Sequence, residues 1–387
     1  MKAKLYSKFV YFGITIIAVL GLSLNDGWAF PERGIRSSLK GPWELIVQMG
    51  MEGQRLHFPV RVSDESKPEK LETVLPVMVT PIKIKLQHYL PDLKWETTAV
   101  KDTEGGIVAK LIVKGENLKQ DIWLSPDDPP RQSISSSIGG VAIKKLYDPN
   151  RIGKLLQELI DANATGIVSI WPEDCNSPFE YVARKGDTIK VPKSRYTLSI
   201  LDYVPHYSID AETKEAVNLS DKPVNPAIKV SVDDGDNTHE QWLWSKFPST
   251  PHKKLQLPLR MVFSDFNLGG TEGRYILATA HGGEPWLLFS KSGKMQAKKV
   301  MPGQPYPFAN EQYFFTIEKV FEHAVIKTDW TNNSDKLLHP AVVAAIEYDD
   351  TVQQAVLEFN KPYHQKTRFG MIVLLYRRQT GPSETAN

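Results

Sequence analysis

Arg195-Tyr196-Thr197-Leu198-Ser199-Ile200-Leu201-Asp202-Tyr203-Val204-Pro205-His206, followed after a loop by Val224-Asn225-Pro226-Ala227-Ile228-Lys229-Val230-Ser231-Val232, decides the fold class. Ile228, Val230 and Val232 alternate with Lys229 and Ser231. Period two places apolar side chains on one face and marks a half-buried strand. Pro226 suits the start of such a strand, because proline fixes φ and has no N–H to leave out of the ladder.

The same order of events recurs on both sides. Upstream, Pro81-Ile82-Lys83-Ile84-Lys85-Leu86-Gln87-His88-Tyr89-Leu90-Pro91 is followed by Gly106-Ile107-Val108-Ala109-Lys110-Leu111-Ile112-Val113. Downstream, Gln312-Tyr313-Phe314-Phe315-Thr316-Ile317 is followed by Leu338-His339-Pro340-Ala341-Val342-Val343. Leading segments also match: Gly166–Trp171 with Phe179–Gly186, and Arg274–Thr279 with Pro285–Gly293, with Trp43–Val47 opening the first copy. Lys185-Gly186-Asp187 and Lys291-Ser292-Gly293-Lys294 supply residues for hairpin turns with φ > 0. A repeat of a little over a hundred residues is domain-sized. The expectation is an all-β chain of three tandem β-sandwich-like modules related by internal duplication, at 30–149, 150–268 and 269–380, with a disordered tail at 381–387.

One helix interrupts the strands. Asp148-Pro149-Asn150 offers a capping residue, and Ile152, Leu155, Leu156 and Leu159 form an apolar stripe at helical spacing. It is expected to link the first and second modules.

The N-terminus carries Lys2, Lys4 and Lys8, an apolar run from Phe9 to Leu22, and small residues at Gly27 and Ala29. That is the pattern of a secretory signal peptide over 1–29, cleaved before Phe30. The run of about fourteen residues is shorter than the roughly 20 of a spanning helix, so an uncleaved anchor is the alternative. The chain holds 47 basic and 45 acidic residues, and removing 1–29 takes away three lysines and Asp26, which balances the two signs. A balanced chain has no electrostatic preference for nucleic acid or anionic lipid. Cys175 is the single cysteine, so no internal disulfide can form. The export pattern points to a periplasmic or extracellular location.

Enzyme signatures are missing. There is no Gly-x-Ser-x-Gly elbow, His-Glu-x-x-His pair or Walker A loop. His239-Glu240 lacks a second histidine, His281-Gly282-Gly283 reads as a turn, and Asp233-Asp234-Gly235-Asp236-Asn237 reads as a polar hairpin rather than a calcium loop. His206, His323 and His339 fall near strand ends, where axial haem ligation is chemically open and a shared strand-end position explains them equally. Trp242, Trp244 and Phe247 suit a sandwich core. No catalytic or metal-binding residue is assigned, and no cofactor.

Tyr196-x-Leu198-x-Ile200-Leu201-Asp202-Tyr203-x-Pro205, then Ser220-Asp221-Lys222-Pro223-x-Asn225-Pro226-Ala227, then Gln241-Trp242-Leu243-Trp244-x-Lys246-Phe247-Pro248, resembles the extracytoplasmic β-domain of ResB-type cytochrome c biogenesis proteins. The match covers about seventy residues, and its motifs are structural. Those proteins act with a haem-delivering membrane partner; this chain has no bundle of transmembrane helices, so the resemblance implies only the soluble β-module and transfers no functional residue. The expectation is a non-catalytic exported binding or assembly protein of the cell envelope, with protein partners such as c-type cytochromes, their maturation machinery or an electron-transfer complex. The alternative is an envelope carbohydrate-binding protein or hydrolase with an unrecognised site.

Overall fold

The computed structural model describes residues 39–50, 55–77, 81–246 and 258–379. The segment 1–29 read as a signal peptide, Phe247 and the tail at 381–387 lie outside them. The described chain divides into two compact units, one of residues 99–326 and one of the residues up to 98 together with those from 327.

Chain order begins with β1 (Trp43–Met49), β2 (Arg55–Val60), β3 (Glu69–Pro76) and β4 (Lys83–Leu90), then β5 (Leu93–Lys114), β6 (Lys119–Leu124), β7 (Ser133–Ser136) and β8 (Gly139–Lys145). After helix α1 (Ile152–Asp161) come β9 (Gly166–Pro172), β10 (Phe179–Ala183), β11 (Thr188–Lys190), β12 (Thr197–Val204), β13 (Tyr207–Ile209), β14 (Ala216–Asn218), β15 (Ala227–Asp233), β16 (Thr238–Trp244) and β17 (Leu259–Asp265). Then follow β18 (Arg274–Thr279), β19 (Trp286–Lys291), β20 (Lys294–Lys299), β21 (Pro305–Pro307) and β22 (Phe314–Asn332). The last four are β23 (Ala341–Tyr348), β24 (Thr351–Glu358), β25 (Pro362–Thr367) and β26 (Gly370–Arg378). Among the described residues the fold is mostly β, with α1 and a 3-10 turn at Pro129–Arg131 as the helical elements between strands.

Three pairs of sheets result. A continuous sandwich sets β10-β9-β17 against β11-β12-β15-β16, all from residues 166–265. Its core is the inward series predicted by alternation: Leu198 and Ile200 of β12, Ile228, Val230 and Val232 of β15, and Met261 and Phe263 of β17. A split sandwich sets β21-β22-β5-β6 against β20-β19-β18-β8-β7, around Leu111, Ile143, Leu277 and Phe315. A terminal sandwich sets β2-β1-β26-β25 against β24-β23-β4-β3, around Trp43, Leu45, Ile84, Leu86, Leu374 and Tyr376.

The expected tandem boundaries do not describe the two flanking modules. Segment 30–149 sends β1–β4 to the terminal sandwich and β5–β8 to the split one, and segment 269–380 does the reverse with β18–β22 and β23–β26. Connectivity is the physical reason. After β12 the chain turns back through Pro205 and the β13–β14 hairpin, so that β12 pairs with β15. After β4 it passes Pro91-Asp92 and continues into the 22-residue β5, while β22 runs 19 residues toward β23. Neither turns back, so β4 pairs with β23 instead.

The two ladders nevertheless match residue for residue. Val204 faces Ala227 as Leu90 faces Ala341, and Ile200 faces Val230 as Leu86 faces Ala344. Both registers shift at the same place, between Ile200 and Asp202 in one and at Val343/Ala344 in the other. A bulge kinks a strand locally, and bulges are characteristic of a fold rather than defects.

Helix α1 joins the continuous and split sandwiches. Its stripe of Ile152, Leu155, Leu156 and Leu159 is buried with Ile167, Phe266, Ile276 and Leu288. The expected cap is displaced: the N-cap is Arg151 without a side-chain bond, and Asp148 instead accepts the Asn150 N–H one turn earlier, at 3.0 Å. Ser292 and Gly293 both have φ > 0, at 52° and 72°, as the two-residue turn between β19 and β20 requires. Gly186 also has φ > 0, at 91°, but it lies between β10 and β11, which belong to different sheets, so no hairpin forms there.

Candidate functional site

A cleft of about 630 Å³ opens inside the 99–326 unit, between the end of β8 and the outward face of β17. Alternation along β17 builds one wall. Met261 and Phe263 point into the core, so Arg260, Val262 and Ser264 face the cleft. β8 supplies Ile143, Lys144 and Lys145, and the residues after β16 supply Ser245 and Lys246. The segment after β6 contributes Pro126, Asp127, Pro129 and Gln132, with Tyr147 beyond β8.

The charges are lopsided. Lys144, Lys145, Lys246 and Arg260 face the space with Asp127 as the one acid, and that carboxylate is bridged to Lys145 at 3.4 Å. Behind Arg260, the guanidinium lies 4.5 Å from the centre of the Trp171 ring, which meets Tyr147 edge-on at 4.8 Å. A cation held over an indole face is fixed in place without being neutralised.

Beneath the cleft runs a polar chain. Lys144 Nζ donates to Ser245 Oγ at 3.5 Å, and Ser245 Oγ accepts the Asp265 N–H at 2.9 Å. The Asp265 carboxylate accepts from the Tyr203 hydroxyl at 3.0 Å, which in turn accepts from Asn267 Nδ2 at 3.0 Å. Burial pushes Asp265 up to about 7 against the opposing pull of Lys144 and the Tyr203 hydrogen bond. Burial also pulls the Lys144 amine down, and Lys246 adds to this while Asp265 opposes it. Glu180, 3% exposed, accepts the N–H groups of Tyr147 and Asp148 at 3.1 Å each and so anchors the chain as it leaves β8. Burial pushes its carboxyl up as well.

The residues singled out from sequence lie elsewhere. Cys175 is half-buried in the turn after β9. His206 Nδ1 sits 2.9 Å from Ser220 Oγ. His323 stacks on His281 at 4.9 Å, and His281 Nδ1 is buried without a hydrogen-bond partner among the described residues. In the terminal unit His339 Nδ1 meets the Asp92 carboxylate at 2.8 Å. Asp233–Asn237 forms the β15–β16 turn, with Asp234 accepting the N–H groups of Asp236 and Asn237. Trp244 is buried, whereas Trp242 is half-exposed against Tyr207 at 5.0 Å. Among the described residues no group of three His, Cys, Asp or Glu side chains is placed to hold a metal ion, and no helix is long and apolar enough to cross a membrane.

Sequence reasoning missed Lys144, Lys246, Arg260 and Asp265. One signal was present. Asp265 continues the inward series Met261, Phe263, and a carboxylate on an apolar face demands partners. No protein-family model, curated protein or solved structure matches the chain.

Proposed function

We propose that this chain is a non-catalytic binding protein of the cell envelope that takes an anionic ligand in the cleft between β8 and β17. The observation that carries the reading is the set of four cationic side chains facing one acid already tied to Lys145. A concave site of one sign, with low-dielectric walls, concentrates counter-ions. Charge-assisted hydrogen bonds from lysine and arginine then hold a carboxylate or phosphate. An anion would also supply Lys144 with the countercharge that Asp265 only partly provides. The export pattern at residues 1–29 and the ResB-like wording of β12–β16 support an assembly role in the envelope, with c-type cytochromes or their maturation machinery as partners.

Calorimetry with inorganic phosphate and with a tetraglutamate peptide tests the reading. Binding is expected to weaken roughly tenfold to a hundredfold in a K246E/R260E variant. Equal affinity in that variant would place the ligand elsewhere. A second reading, an envelope hydrolase, draws on Asp265, since a buried acid pushed up to about 7 is a feature of catalytic sites. Hydrolysis of envelope polymers by wild-type protein, lost in D265N, would favour it.

A further inference from the structure

One of the cleft's cationic side chains, Lys144, can also act as a nucleophile when its amine is unprotonated. We propose that Lys144 forms an imine with a carbonyl group carried by the anionic ligand, so that the site captures its ligand covalently and reversibly; this rests on the cleft being the anion site. Two features of the geometry carry it, and one electrostatic feature supports them. The Lys144 side chain lies on the cleft, with Nζ directed to Ser245, which lines the same space. Lys145, Lys246 and Arg260 stand around it, so an electrophile bearing a phosphate or carboxylate is drawn to this amine in preference to lysines scattered on the surface. The buried Asp265, through its electrostatic pull on Lys144, favours a cation at that nitrogen whether it is an ammonium or an iminium.

The chemistry balances without another reagent. The free amine attacks the carbonyl carbon, a C–N bond forms, and the C=O electron pair moves to oxygen. The carbinolamine then loses that oxygen as water, with the two amine protons leaving on it, and a C=N bond remains. Attack requires the unprotonated amine, and burial shifts Lys144 in that direction. Water reverses the step, which suits a carrier rather than a catalyst.

Pyridoxal 5′-phosphate serves as the probe, combining an aldehyde with a phosphate. The full mature chain is incubated with it at neutral pH, reduced with borohydride, digested and mapped by mass spectrometry. Lys144 is expected to label roughly tenfold or more faster than the other lysines, because the cationic cleft concentrates the phosphate-bearing aldehyde at this amine. K144R, which keeps the charge, should lose that label. Pyridoxine 5′-phosphate, which has an alcohol in place of the aldehyde, reports the anion site separately by calorimetry. Its binding without selective labelling of Lys144, or labelling centred on Lys246, overturns the imine and leaves the anion site standing. If neither compound engages the cleft, both readings fall.

Discussion

The Tyr203 hydroxyl donates to the Asp265 carboxylate at 3.0 Å, joining β12 of one sheet to β17 of the other within the continuous sandwich. This bond holds the buried acid from below while Lys144 acts on it from the cleft side. Tyr203→Phe should cost about 1.5–3 kcal/mol at pH 8, where the lost partner is a hydrogen bond to a charged group. The loss should shrink at pH 5, where Asp265 is protonated. Urea denaturation at the two pH values measures it, and equal losses would mean that Asp265 does not titrate in this range.

Asp265 should also leave its mark on the pH dependence of stability. Its carboxyl is raised from 3.8 to about 7 by burial, so between these values the folded protein binds the proton that the unfolded chain has lost. The contribution is fully present below pH 3.8 and is lost as pH rises through 7. Relative to D265N, wild-type protein should therefore lose on the order of a few kcal/mol between pH 4 and pH 8. Parallel pH–stability curves for the two proteins would refute the shift.

Asp92 in the terminal unit should behave in the opposite sense. Burial alone would raise its carboxyl, but hydrogen bonds from His339, Ser334 and Asn333 outweigh burial and hold it below 3.8. A depressed acid contributes stability above its unfolded value, and that stability is lost as pH falls through the folded one. D92N should thus be destabilised by about 1–3 kcal/mol at pH 7, with the gap closing below pH 3.8. Acid-unfolding curves followed by tryptophan fluorescence decide between the outcomes.

Gly153 sets helix propensity against packing. Alanine is the better helix former by about 1 kcal/mol, yet a Cβ at 153 would lie 2.3 Å from the Trp286 ring. The ring must move, so Gly153→Ala should destabilise the 99–326 unit by about 1–3 kcal/mol. A rise in melting temperature would show that Trp286 yields freely.

The strands were legible because alternation is local. Ile228, Val230 and Val232 give the face of β15 without reference to any other strand. Partner choice is not local. β4 could pair with a strand following it or with its counterpart near the C-terminus, and period two is satisfied either way. What settles the matter is the chain after Pro91, where β5 runs on for 22 residues, and nothing in Leu93–Lys114 announces that length. The cleft was hidden for a related reason. Lys144 and Lys246 each look like ordinary lysines at strand ends, and only the meeting of β8 with the residues after β16 at the cleft brings them together.

The exchange of strands has a consequence for the order in which the protein can be made. A chain emerging N-terminus first can close the continuous sandwich once Asp265 is available, the split sandwich only after β22, and the terminal one only after β26. Among the described strands β1 is synthesised first and β26 last, yet the two are neighbours through seven residue pairs from Trp43–Arg378 to Met49–Ile372. Until β26 and β23 are made, β1 and β4 are paired on one side only, by β2 and β3, and their other edges stay open, a condition under which chains are held by chaperones or aggregate. A stop codon just before β26 would therefore do its damage at the opposite end of the sequence, stranding Trp43, Leu45 and Val47 in water.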